Sequence, residues 1–320
     1  MPGGRCHGVT ALLALAIGQG DLIGFGGMVA QRFGPCEAAE FLTAQGFACA
    51  PTDLRRLAGG LWNDVLCAQL PDRVLIIKHY PSGGQASLFP NLPEAEVAAL
   101  NRLAGFAVAP DPVGFWPKSR ILVYAHVPGD PWRDDLAGLA ALLQRKEAVS
   151  PDGFRAVPLT AAEVLAQGDA LLAACKPAPR AGALAALRPA PRQVRAPRRL
   201  SLVHTDVGAG NLIGQGVALR LIDWQCPAAG DLAEDVFSAL SPGLLTLSGH
   251  PGLPDTARQR LLDALAMPDL QTRLEALEPA YGWRLAAYFL RRAQTVPDAA
   301  VRARYDLALA AEIARLRGEP

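Results

Sequence analysis

The stretch His204–Asp235, HTDVGAGNLIGQGVALRLIDWQCPAAGDLAED, decides how this chain folds. It spaces Asp206 and Asn211 as HxDxxxxN and sets Asp223 in an Ile-Asp-Trp triplet, after a segment that reads as a hairpin. That order suits the transfer of a phosphoryl group to a hydroxyl. One carboxylate orients the hydroxyl, an amide oxygen five residues on faces a magnesium ion, and a later carboxylate holds magnesium against nucleotide phosphates. Magnesium keeps several waters and takes few protein oxygens, so a loop and a strand end are enough to supply them. Gly208 and Gly210 allow the loop to bend. Each residue alone also fits a hairpin with ordinary surface carboxylates; the three in order, followed by Gly230-Asp231, argue against that.

Upstream, the run Leu57 to Val65 sets Gly59 and Gly60 before Asn63. Val65–Leu70 and Val74–Tyr80 are rich in strand formers and are split by Pro71-Asp72-Arg73, a hairpin signal. Lys78 lies inside the apolar run VLIIKHY, where a lysine is costly unless paired. A strand-edge lysine reaching out to water is the competing reading. The next helical pattern, Pro93–Leu103, offers two carboxylates. Glu96 has Leu100 and Leu103 at i+4 and i+7 to dock its face on a sheet, and Glu94 stays open as the alternative.

HTDVGAGN, LIDW and GDLAED resemble the catalytic loop and metal-binding segment of the aminoglycoside phosphotransferase and choline kinase superfamily, and the glycine pair, Lys78 and the helix after it follow that family's order. The resemblance implies an α+β, two-lobed fold like that of protein kinases. A small β-rich lobe with one key helix would span 28–127, and a larger, mostly helical lobe 128–320. It implies ATP under a turn containing Gly59, Gly60 and Asn63, with Lys78 held by Glu96 against the phosphates and the backbone of Ala125 to Val127 reading the adenine edge. Mg2+ would sit on Asn211 and Asp223, Asp206 would be the catalytic residue, and His204 would orient the loop.

The implied partner is a small-molecule hydroxyl acceptor. Trp283 and Tyr288, in YGWRLAAYFLRR, resemble in position the C-terminal aromatic helix of choline kinases, with Trp224 near the metal. A cage of that kind would suit an amino alcohol, choline-like or thiamine-like acceptor; core packing at helical spacing is the competing reading. An aminoglycoside acceptor is the alternative. From Ser241 to Pro320 there are nine acids against ten arginines, and Ala209 stands where some aminoglycoside-type loops carry an acid, so the acid excess such a polycation wants is missing. A non-catalytic nucleotide-binding pseudokinase is opposed by the presence of Lys78, Glu96, Asp206, Asn211 and Asp223 together. Protein phosphorylation is opposed by the lack of a long activation segment after Asp223.

Composition agrees. With 320 residues and 51% hydrophobic content, the chain can build two sizeable cores. A net charge of +1, with no basic stripe interleaved with aromatics, argues against a nucleic-acid partner. Six scattered cysteines without ligand spacing suit a reduced, cytoplasmic protein. The apolar run VTALLALAIG near the start is too short to span a membrane, and export would part a kinase from its nucleotide, so residues 1–27 read as a poorly ordered extension. Helices are expected over Cys36–Gln45, Asp134–Arg145 and Leu159–Cys175, and strands over Arg120–Gly129 and Leu200–Val203. Residues 176–199, with five prolines, seven basic residues and no acid, read as a surface linker.

Overall fold

The computed structural model describes residues 33–57, 63–81 and 88–319; the Gly59-Gly60 turn and the extension 1–27 lie outside them. Helix α1 (Pro35–Ala44) precedes strands β1 (Leu54–Arg56), β2 (Asp64–Gln69) and β3 (Val74–His79); helix α2 (Pro93–Leu103) then leads to β4 (Pro112–Trp116) and β5 (Ile121–Ala125). The five strands form one antiparallel sheet in the order β1-β2-β3-β5-β4.

Side-chain alternation sorts the two faces of this sheet. Leu75 and Ile77 join Leu66, Ala68, Ile121 and Val123 against Ala38, Ala39 and Leu42 of α1. Ile76, with Cys67, Leu122 and Tyr124, faces the other way and joins the core that contains Leu100 and Leu103 of α2. Lys78, two residues from Ile76, is therefore aimed at this second face, opposite Val65 on one side and Leu122 on the other.

The remainder is mostly helical: α3 (Leu136–Lys146), α4 (Ala161–Ala173) and α5 (Pro179–Ala186), then α6 (Leu232–Leu240), α7 (Pro242–Leu247), α8 (Ala257–Leu265), α9 (Pro268–Thr295) and α10 (Ala299–Arg317). Between α5 and α6 run the short strands β6 (Ser201–Val203), β7 (Leu212–Ile213), β8 (Arg220–Leu221) and β9 (Ala228–Gly230). β6 pairs with β9 and β7 with β8. The long α9 is the axis on which α4, α6 and α10 pack.

Two expectations change here. Residues 176–199 are not loop throughout, because α5 forms within them. Pro179 occupies the first turn, where its missing N–H is no loss, and the alanine-rich run that follows is helix-forming. Trp283 is a core residue: fully buried, it donates Nε1–H to the Leu184 carbonyl at 2.9 Å. Gly168 of α4 makes room for it, since a Cβ there would lie 2.5 Å from the indole.

The acids of GDLAED each find a buried base. Asp231 caps α6 by accepting the Ala233 N–H at 3.0 Å and pairs with Arg273. Glu234 meets Arg284 at 2.6 Å, and Asp235 meets Lys146 at 3.4 Å. Among the described residues, no helix is long and apolar enough to cross a membrane.

Candidate active site

The β7–β8 hairpin brings the three polar residues of the loop together. Asn211 enters β7 and Asp223 leaves just beyond β8, and Ile222 donates its N–H to the Asn211 carbonyl at 2.8 Å, so both arms end on the same side. Asn211 donates Nδ2–H to the Asp206 carbonyl at 2.9 Å, which fixes the loop's bend and leaves the Asn211 Oδ1 available. Asp223 has φ +65° and Thr205 φ +69°. For β-branched Thr205 this is a strained position, held by its surroundings.

Those surroundings start at Asp235, which accepts the His204 N–H at 3.0 Å and the Thr205 N–H at 2.9 Å. The Thr205 hydroxyl donates to the Cys226 carbonyl at 3.1 Å, and its own carbonyl accepts from Ser238 at 3.0 Å. His204 is fully buried. Its Nδ1 accepts the Asp206 N–H at 3.3 Å, so Nε2 carries the proton and donates to the Ile222 carbonyl at 3.0 Å. Burial holds its pKa below the ordinary histidine value, in keeping with a neutral ring that braces the loop.

Lys78 is 2% exposed, its Nζ 2.5 Å from Glu96 and also paired with Asp223. Burial opposes its charge, but the Asp223 and Glu96 carboxylates outweigh it and hold the ammonium well above the usual lysine range. The Tyr80 hydroxyl donates to the same Glu96. Sequence spacing left Glu94 and Glu96 open, and the turn of α2 that faces the sheet carries Glu96. Asp206 is half-buried; burial and the neighbouring Asp223 push its carboxyl up to about 7.

Lys78, Asp206, Asn211 and Asp223 line one cleft of about 260 Å³ between the sheet and the helices and form its polar floor. Val65, Ile76, Tyr124 and Val127 line it from the sheet side, Ile222 adds an apolar side chain from beyond β8, and Leu244, Leu247, Tyr288, Arg304 and Tyr305 close the helical end.

Several expected site residues lie elsewhere or are otherwise engaged. Ala125 is not on the lining, and its N–H and that of His126 donate to the Asp111 and Val74 carbonyls. Trp224 is fully buried, with Nε1–H on the Leu221 carbonyl and its ring against His204. Of the three proposed acceptor rings, only Tyr288 reaches the cleft. Asn63 lines the cleft, but its amide donates to Asn91 at 3.1 Å and Gln225 at 3.0 Å and accepts from Asn91 at 2.8 Å. Gly59 and Gly60 fall outside the described residues.

The sequence reading missed Gln225, Asn91 and Lys146, and it also missed Tyr80, Tyr305 and Arg304. Only Gln225, two residues after Asp223, carried a positional hint.

A family model described as the phosphotransferase enzyme family matches residues 53–277. No curated protein sequence matches the chain. Among solved structures, a choline/ethanolamine kinase family protein from Mesorhizobium loti has 18% identity and a TM-score of 0.61, covering 89% of this chain and 94% of that one. The choline kinase LicA from Streptococcus pneumoniae has 14% identity and a TM-score of 0.60, with 87% and 98% covered. The macrolide 2'-phosphotransferase MphH from Brachybacterium faecium has 19% identity and a TM-score of 0.56, with 86% and 97% covered. At these identities the likeness shows the fold.

Proposed function

Since the chain belongs to the phosphotransferase enzyme family and is a small-molecule kinase, we propose that ATP is its donor, that the cleft is its active site, and that the acceptor is an alcohol whose hydroxyl meets Asp206. LicA, one of the proteins of similar fold, has been solved with AMP, which supports nucleotide as the cleft's occupant. The observation that carries the reading is that Lys78, Asp206, Asn211 and Asp223 line one cleft, with Glu96 behind the lysine. Residues 33–127 and 128–319 would then act as the two lobes that enclose the nucleotide.

The donor set fits magnesium. Asn211 Oδ1 and the Asp223 carboxylate are hard oxygens on one side of the cleft, and magnesium takes few protein ligands. Among the described residues, no group of three His, Cys, Asp or Glu side chains stands together as a metal site, so phosphates and water would supply the remaining ligands. When bound, magnesium would neutralise phosphate charge.

The chain's own residues do the rest. Lys78, held charged by Glu96, supports the phosphates, while the apolar wall of Val65, Ile76 and Ile222 receives the base. Asp206 orients the acceptor hydroxyl in line with the terminal phosphate and takes its proton as the new P–O bond forms and the bond from the terminal phosphorus to the bridging oxygen breaks, with ADP as the leaving group. Positioning and charge complementarity supply most of the acceleration. The amino-alcohol preference loses the support of Trp224 and Trp283, which are in the core.

The test is magnesium-dependent ATP turnover against a panel of small alcohols, with Asp206→Asn alongside. We expect the substitution to lower kcat by about 100-fold or more while nucleotide affinity stays within about threefold. Unaltered kcat would remove Asp206 from the chemistry. Absence of magnesium-ATP binding would favour the non-catalytic alternative.

A further inference from the structure

Building on the kinase reading above, we propose that the acceptor carries an anionic group, a carboxylate or a phosphate, which Arg304 receives at the helical end of the cleft while the acceptor's hydroxyl meets Asp206.

The geometry starts from α7, which lies against the catalytic loop. A Cβ on Gly208 would stand 3.8 Å from Asp206 Oδ1 and 3.9 Å from the Leu244 Cβ, and one on Gly210 would stand 3.4 Å from the Ser248 Cβ. Leu247 is nearly one turn beyond Leu244, and its carbonyl accepts from the Arg304 guanidinium. That bond fixes Arg304 roughly one helical turn, about 5 Å of axis, from the point where α7 approaches Gly208, two residues after Asp206. Both residues line the same cleft, within the span of a small molecule.

The charges then decide the class. Arg304 is half-buried and makes no ion pair among the described residues; one carbonyl uses little of a guanidinium's five N–H donors. On α9 and α10, Arg273, Arg284 and Arg315 each face a carboxylate, whereas Arg291 and Arg302 bond carbonyls as Arg304 does; of these three only Arg304 lines the cleft. The described acids on the cleft are Asp206 and Asp223, and Asp223 is already paired with Lys78. None of the cleft-lining residues of α7, α9 or α10 is acidic.

A cationic acceptor would therefore meet Arg304 with no counter-charge beside it. The described aromatic rings at this end, Phe89, Tyr288 and Tyr305, are turned against one another, with Phe89 edge to face on Tyr288 at 5.0 Å. Tyr288 and Tyr305 meet edge to face at 6.3 Å, and the Tyr305 ring already carries the Arg292 guanidinium at 5.4 Å. A carboxylate or phosphate instead matches the planar fork of an arginine and gains charge-assisted hydrogen bonds in a partly desolvated place.

The test uses matched alcohols, serine against ethanolamine and glycerate and glycerol 3-phosphate against glycerol, titrated calorimetrically into the full chain with and without magnesium and a non-hydrolysable ATP analogue. We expect the member of each pair that carries the carboxylate or phosphate to bind at least about tenfold more tightly. Arg304→Gln should bring that ratio to within about threefold, and Arg304→Lys should keep part of it. Circular dichroism would confirm that both variants are folded. The carboxylate and phosphate arms show which anion is preferred.

Tighter binding of ethanolamine or glycerol, no binding of any anionic probe at millimolar concentration, or a ratio untouched by Arg304→Gln would each overturn the proposal. So would a variant that weakens the ATP analogue instead of the acceptors, because Arg304 would then serve the nucleotide. Failure of the analogue to bind, with the anion titration intact, would sink the kinase reading and leave the anion site standing.

Discussion

Asp206 sits where an unpaired carboxylate is uncomfortable. Burial and the Asp223 charge push it up to about 7, well above an ordinary aspartate. The folded protein therefore holds a proton there that the unfolded chain releases near pH 4. Stability from this group is greatest at low pH and is lost as pH rises from about 4 to about 7. We expect the metal-free protein to lose about 1–3 kcal/mol over that window, after allowing for water in the open cleft, and Asp206→Asn to flatten that part of the profile. Urea unfolding from pH 4 to 8 measures it, and parallel profiles for the two proteins would refute it. Where type and spacing carried the reading, as at Asp206, Asn211 and Asp223, the three side chains do line one cleft. Glu96 was preferred to Glu94 because Leu100 and Leu103 stand at i+4 and i+7 from it, and it is Glu96 that meets Lys78; residues such as Arg304, whose position depends on how distant helices pack, gave no such signal.

At the scale of elements, helix positions followed from apolar periodicity, and α2 occupies the expected Pro93–Leu103. The aromatic helix was a different matter. Trp283 and Tyr288 lie on the same helix, yet one enters the core beside α4 and the other reaches the cleft. Periodicity marks a buried face but not what lies opposite it. Gly168 is the hidden half of that contact. Alanine there gains about 1 kcal/mol of helix propensity but drives a methyl into the indole and to 3.2 Å from the Arg284 backbone. We expect Gly168→Ala to cost about 1–3 kcal/mol net, seen as a Tm lower by several degrees. An unaltered Tm would mean that α4 and α9 separate more easily than their packing indicates.

Across the whole molecule, the sheet and the segment after Asp223 are tied by three amides. Asn63 bridges Asn91 and Gln225, and Leu92 donates its N–H to the Gln225 carbonyl at 3.2 Å. Gln225 and Asn91 are each 5% exposed, so losing one partner leaves buried polar groups unsatisfied at a cost of about 1–3 kcal/mol. Because the cluster lies on the cleft wall, Gln225→Ala should also raise the magnesium-ATP KM, by about three- to tenfold. A lowered Tm with an unaltered KM would reduce the cluster to a packing device.

The sequence by itself determined the α+β class, helices α1 to α4, strands β2, β3, β5 and β6, and the loop that carries Asp206, Asn211 and Asp223. Local spacing, strand alternation and helical period are written in neighbouring residues. Only the tertiary structure decided that Asp235, paired with Lys146, holds the strained loop through the His204 and Thr205 N–H groups, that Trp224 and Trp283 belong to the core, and that Arg304 faces the cleft without a carboxylate partner among the described residues. Each of these joins residues far apart in the chain, where the partner is chosen by how whole faces pack and by which charges burial leaves unpaired.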